Sequence, residues 1–132
     1  MNGASKYLED ATLNYFFRNQ NVTRPTAHFL ALYISDPTDN NTGTEIQGGG
    51  YARRPITFTA PAASGGTTTI GNNAEIRFPV ATSNWGNISH FGILDASTGG
   101  NLLAHAPVPV PKIIESGDEA KFNVNTLTVS MD

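Results

Sequence analysis

The hydrophobic period of this chain changes once, and that change limits what it can fold into. Residues 6–17, "KYLEDATLNYFF", place Leu8, Ala11, Thr12, Tyr15 and Phe16 at three- and four-residue spacing, the repeat of one helical face. "RNQN" at 18–21 ends the pattern, and every later apolar run has a period of two or is apolar on both faces. A single helix ahead of many short strands predicts a mainly β protein, an antiparallel β-sandwich of jelly-roll type with one N-terminal α-helix over about residues 5–17. Ser5 is the expected N-cap, Glu9 and Asp10 suit the positive helix start, and Arg18 suits its negative end.

The strand-like runs are 26–34, 51–58, 74–78, 88–94, 101–110, 119–124 and 126–131. "TAHFLALYI" (26–34) is apolar on both faces, as expected of a central strand covered on each side. "AEIRF" (74–78) alternates, with Ala74, Ile76 and Phe78 on one face and Glu75 and Arg77 on the other. The last run sets Leu127, Val129 and Met131 against Thr126, Thr128 and Ser130. Turns are expected at 63–66, 71–73, 97–100 and 116–118, where Gly, Ser, Asn and Asp cluster. Pro107, Pro109 and Pro111 cannot donate to a ladder, so their run lies at an edge or leads away from the sheet. With 132 residues, no internal repeat and no linker, one domain spanning 1–132 is expected.

Composition narrows the function classes. Only 14% of residues are charged and the net charge is −3, without the basic face that binding a phosphate backbone needs, so nucleic acid is not expected as a partner. No cysteine is present, which removes disulfides and thiolate metal sites. There is no apolar run of about 18 residues, so no membrane-spanning helix is expected. The sequons at Asn21, Asn40 and Asn87 matter only in a secreted protein, and the N-terminal decapeptide has neither the basic start nor the apolar core of a secretion signal.

The candidate sites are few. "EIQGGGYARRPITF" (45–58) has glycines in number, but they precede a strand, no Lys-Ser/Thr follows, and Pro55 forbids the helix a P-loop requires. Gly48, Gly49 and Gly50 are therefore read as a turn. Arg53 and Arg54 point to opposite faces, so one of them leans inward toward a carboxylate or carbonyls that its planar fork fits. Asp36, Asp39, Asn41 and Glu45 are oxygen ligands of the kind calcium takes, yet the EF-hand spacing fails, and the simpler reading is an Asx-rich turn. His28, His90 and His105 form no ligand pair, and no nucleophile motif is present. No catalytic, cofactor or metal residue is assigned, and no enzyme is expected. Trp85 and Tyr51 are the side chains that would stack on a sugar ring, which makes a carbohydrate-binding or adhesion module the alternative function. The helical stripe has two readings: it packs on its own sheet, or it docks on a neighbouring subunit.

"GASKYLED" (3–10), "ALYISDPTDNNTGTEIQGGGYARRPITF" (31–58), "FPVATSNWGNISHFGILDASTGGNLLAH" (78–105) and "SGDEAKFNVNTLTV" (116–129) together resemble a family of small virion structural proteins of tailed bacteriophages. Its members are labelled tail fibre or tail proteins, and similar small β proteins decorate capsids. The resemblance covers nearly the whole chain in order and implies no catalytic residues. It implies a non-enzymatic component of the virion, an exterior tail-associated or capsid-decorating subunit made in the host cytoplasm. Its partners would be other virion proteins and further copies of itself, with a trimer as one form.

Overall fold

The computed structural model describes residues 3–131. The chain runs β1 (Gly3–Ala4), α1 (Lys6–Phe17), β2 (Phe29–Tyr33), β3 (Arg54–Pro55), β4 (Ala62–Ser64), β5 (Thr67–Gly71), β6 (Ile76–Arg77), β7 (Gly86–Leu94), β8 (Leu102–Ile114), β9 (Lys121–Phe122) and β10 (Thr128–Met131). The fold is mainly β, with one helix. All named strand pairs are antiparallel, in a five-stranded sheet ordered β1-β8-β7-β2-β3, a three-stranded sheet β10-β5-β4 and the pair β6-β9. The arrangement is sandwich-like.

The helix starts where expected. Ser5 accepts a hydrogen bond from the Leu8 amide at 3.0 Å, which satisfies one of the free donors of the first turn. At the other end Asn19 adopts a left-handed φ of 55°. This turns the chain so that the Arg18 and Gln20 amides both donate to the Asn14 carbonyl.

β2 is the covered central strand. Leu30 and Leu32 join the main core with Phe78, Trp85, Ile88 and Phe91, while Ala31 and Tyr33 pack on the opposite face against Leu94 and Leu102. The strand is shorter than expected, because residues 26–28 make no ladder. The run 51–58 joins a ladder only at Arg54–Pro55, on the sheet edge where proline is tolerated, and makes one isolated bridge from Phe58 to Asn72. In the run 74–78, Ile76 and Phe78 are buried and Ala74 is exposed. The hairpin β4–β5 escaped the sequence reading: "AASGGTTTI" looks like loop, but Gly65 and Gly66 supply the positive φ of a tight turn between two strands.

β8 explains the prolines. β1 pairs with it only at Ala104 and His105, and the Ser5 amide donates to the Leu103 carbonyl at 2.8 Å. The backbone groups of Leu103 and His105 therefore point away from β7, and strand alternation carries that set on to Pro107, beyond which residues 108–111, with Pro109 and Pro111, bulge out of the ladder. Beyond β1 the edge of β8 thus lacks the donors a further strand would need. A shift of register between Ile88 and His90 bulges the same run, a second device that blunts an edge.

Candidate functional site

Two regions held candidate residues, and they have opposite characters. Around residues 45–53 the side chains are spent on holding the fold. Of the two arginines, one of which was expected to lean inward, it is Arg53 that does so. Its Nε and Nη2 donate to Glu45 Oε2 and Oε1 at 2.9 and 2.8 Å, and its Nη1 donates to the carbonyls of Ala96 and Gly99 at 2.9 and 2.8 Å. The Tyr51 hydroxyl donates to the same Glu45 carboxylate at 2.6 Å and accepts from the Leu32 amide at 3.0 Å. Glu45 is thus the hub of the site, a role the sequence reading missed when it weighed this residue only as a calcium ligand. The carboxylate, through its hydrogen bond first and its charge, holds the Arg53 guanidinium above its ordinary value. Burial first, then the Glu45 hydrogen bond, pushes the Tyr51 phenol up. Burial and the nearby Glu45 charge raise Tyr33 to about 12.

The two aromatics proposed as a sugar platform are part of the core. Trp85 is 5% exposed, and its Nε1 donates to the Gly49 carbonyl at 2.9 Å. Tyr51 stacks on Phe78 with ring centroids 5.9 Å apart and meets Trp85 edge-on at 5.5 Å. These contacts bury Trp85 and cover one face of Tyr51, which stays half-buried on an open cleft, so the carbohydrate reading loses Trp85. The glycine turn closes this cluster. A β-carbon at Gly49 would stand 2.8 Å from Trp85 Nε1 at a φ of +60°.

The Asx-rich loop is capped by its own side chains. The Thr38 amide donates to Asp36 Oδ1 at 2.9 Å, and the Thr38 and Thr42 hydroxyls meet at 2.7 Å. Asp39 instead reaches His105 Nε2 at 2.9 Å, and its carbonyl accepts from the Lys6 amide at 3.0 Å. That loop therefore ties β8 to the start of the helix. The other histidines lie apart: His28 meets Phe58 edge-on, and His90 Nδ1 contacts the hydroxyl of its strand neighbour Ser89 at 2.8 Å. Among the described residues no group of three His, Asp or Glu is arranged to hold a metal, and no helix is long and apolar enough to cross a membrane.

The second region is α1, where the apolar stripe is only partly covered. The helix rests on β8 and β1, yet none of its residues is buried. Leu13, Tyr15, Phe16 and Phe17 are 56%, 53%, 72% and 78% exposed. The stripe Leu8, Ala11, Tyr15 and Phe16 lines an open groove of about 300 Å³ together with Val22 and Pro25. Of the two readings of this stripe, packing on its own sheet holds for its inner part, where Leu8, Ala11 and Thr12 are half-buried, while Tyr15 and Phe16 stay exposed. One 12-residue helix beside an irregular segment cannot close over four large side chains.

No curated protein matches this chain. A family model described as podophage GP4 fiber I protein gp80 matches residues 3–130, nearly the whole described fold from β1 to β10, and the chain belongs to that family.

Proposed function

We propose that this protein is a non-enzymatic structural subunit of a podophage tail fibre, made in the host cytoplasm and built into the virion through contacts with copies of itself and other virion proteins. The family and the β-rich fold support a fibre structural protein. The observation that carries the finer reading is α1. Five large apolar side chains, with Tyr7 the fifth, stand exposed on a helix with no buried residue. Soluble monomers rarely leave so much apolar surface open on one element, and such surface marks a protein-binding region. With only 14% charged residues to keep copies apart, specific association is the stable outcome. A homo-oligomer, with a trimer as one closed form, covers the helix.

Quantitative gels of purified virions test the placement. A few to dozens of copies per particle, lost together with the tail when particles are stripped to heads, is the expected result. Hundreds of copies that stay with the head would make it a capsid-decorating subunit, and absence from the virion would end the reading.

A further inference from the structure

The proline-rich stretch of β8 stands out as a ridge. Where β7 runs from Ile88 to His90, the paired positions on β8 jump from Lys112 to Pro107, so residues 108–111 leave the ladder. Residues 109–113, "PVPKI", are all exposed, Val110 at 64% and Ile113 at 66%. Pro109 and Pro111 have no amide hydrogen. The ridge can therefore enter an apolar site with few donors to desolvate, while an incoming strand is a poor partner for it. Ile113 lies opposite the exposed Asn87, whereas Lys112 lies opposite the buried Ile88. Strand alternation then sets Glu115 on the outward side with Ile113 and turns Lys112 the other way.

The groove on α1 is the complement of this ridge. Ala11, Tyr15 and Phe16 line it from the helix and Val22 and Pro25 from the segment that follows, around an open volume of about 300 Å³ with Arg24 at its wall. Neither Arg24 nor Glu115 makes an ion pair among the described residues. One surface is concave and apolar with an unpaired guanidinium; the other is convex and apolar with an unpaired carboxylate.

Within one chain the two do not meet. The groove lies just ahead of β2, whose Phe29 pairs with Leu94 at one end of β7, and the ridge stands opposite Ile88 and His90, toward the other end. That separation is roughly 13–20 Å at about 3.3 Å per residue.

We infer that the Pro109–Ile113 ridge of one copy seats in the α1 groove of a second copy, with Ile113 against Tyr15 and Phe16 and Glu115 set toward Arg24. This rests on the reading of the protein as a homo-oligomer. Because ridge and groove are different surfaces, the contact is head-to-tail and each copy offers both. Tyr15 and Phe16 are 53% and 72% exposed, which leaves roughly 200–300 Å² of ring surface to cover. A single contact of this kind is smaller than the roughly 800 Å² per partner of a standard interface, and so is weak alone. Closure into a ring gives every copy two such contacts at once, and the assembly holds by that multiplicity.

Cysteine cross-linking tests the docking, because the chain has no cysteine of its own. A Phe16→Cys chain mixed with an Ile113→Cys chain should give a disulfide-linked heterodimer on non-reducing gels. Its yield should exceed that of Phe16→Cys mixed with a Val124→Cys control by about tenfold or more, since docking raises the effective concentration of the pair. Adding Arg24→Glu to the first chain should lower the yield by about two- to fivefold, and adding Glu115→Arg to the second should restore it. All the substituted positions are exposed, and circular dichroism melts check that each variant folds. A Phe16→Cys chain that links chiefly to itself would mean that helix meets helix, which overturns the docking and leaves the oligomer reading intact. A mixed yield no higher than the control would overturn the docking as well. If the wild type also sediments as a monomer at roughly 100 μM, the oligomer reading falls with it.

Discussion

Arg53 and Glu45 meet through two hydrogen bonds of 2.9 and 2.8 Å, with side-chain exposures of 9% and 22%. The other side of the guanidinium pins the carbonyls of Ala96 and Gly99. One side chain therefore fastens the 45–53 segment to the turn that joins β7 and β8. Lysine has the charge but not the fork, and alanine has neither.

Arg53→Ala leaves a largely buried carboxylate and two carbonyls without their donor, and should lower stability by about 3 kcal/mol. Arg53→Lys should lie between this variant and the wild type. Urea unfolding midpoints measure both, and a lysine variant as stable as the wild type would show that the fork geometry contributes nothing.

The raised phenols of Tyr33 and Tyr51 set a pH dependence. Unfolded tyrosines release their proton near the ordinary value of 10.0, whereas the folded ones keep it, Tyr33 until about 12. Their contribution is complete below pH 10 and is lost as pH rises through the folded values. Stability should then fall by up to about 1.4 kcal/mol per pH unit for each ring above pH 10. Urea midpoints from pH 9 to 11, followed with tyrosinate absorbance, measure the slope. Tyr33→Phe should make it shallower, and a flat profile across that range contradicts the assignment.

Asn72 is fully buried. Its Nδ2 donates to the Ala74 and Asn123 carbonyls at 2.9 Å each, and its Oδ1 accepts from the Leu127 amide at 2.9 Å. Asn72→Ala leaves the buried Leu127 amide without its acceptor and removes one donor from each of the Ala74 and Asn123 carbonyls, the latter keeping the Thr126 hydroxyl at 2.7 Å, for an expected loss of about 2 kcal/mol. Chemical denaturation checks it, and a loss below about 1 kcal/mol would mean that water or a shifted backbone replaces the amide.

Asn72 also shows where sequence reasoning stops. "GNN" reads as a turn, but Gly71 ends β5 and Asn72 bridges to Phe58, so the bend falls at Asn73 and Ala74, and a turn motif does not say that the protein folds over Asn72. The N-cap of α1, the central strand β2, the edge position of the prolines and an inward lean by one of Arg53 and Arg54 were all legible, because each depends on local stereochemistry or period. Glu45 as the hub was not legible, since its partners depend on how three loops meet. The span 51–58 was read as strand from its alternation. In the fold it is held largely by the side chains of Tyr51 and Arg53, with only two residues in a ladder. The stripe on α1 showed which side chains share a face, and nothing in a periodicity can say what covers that face.

Trp85 should behave as a core residue and not as a sugar platform. Its fluorescence should resist iodide quenching and stay unchanged on a glycan panel, since the ring packs on Tyr51 and Phe78. Trp85→Phe should cost about 1–2 kcal/mol through the lost bond to the Gly49 carbonyl. A glycan that shifts the emission and loses affinity with Trp85→Phe would reinstate the binding module.

Hydrogen exchange over residues 6–17 tests most directly that α1 is completed by a neighbour. In chain diluted to monomer, these amides should exchange far faster than those of β7, which lies between two strands in the sheet, because a helix with no buried residue opens locally. In the assembled state the same amides should slow by about a hundredfold or more, with β7 little changed. Equal protection of α1 in both states would show that the helix belongs to the single chain, and would contradict its role in assembly.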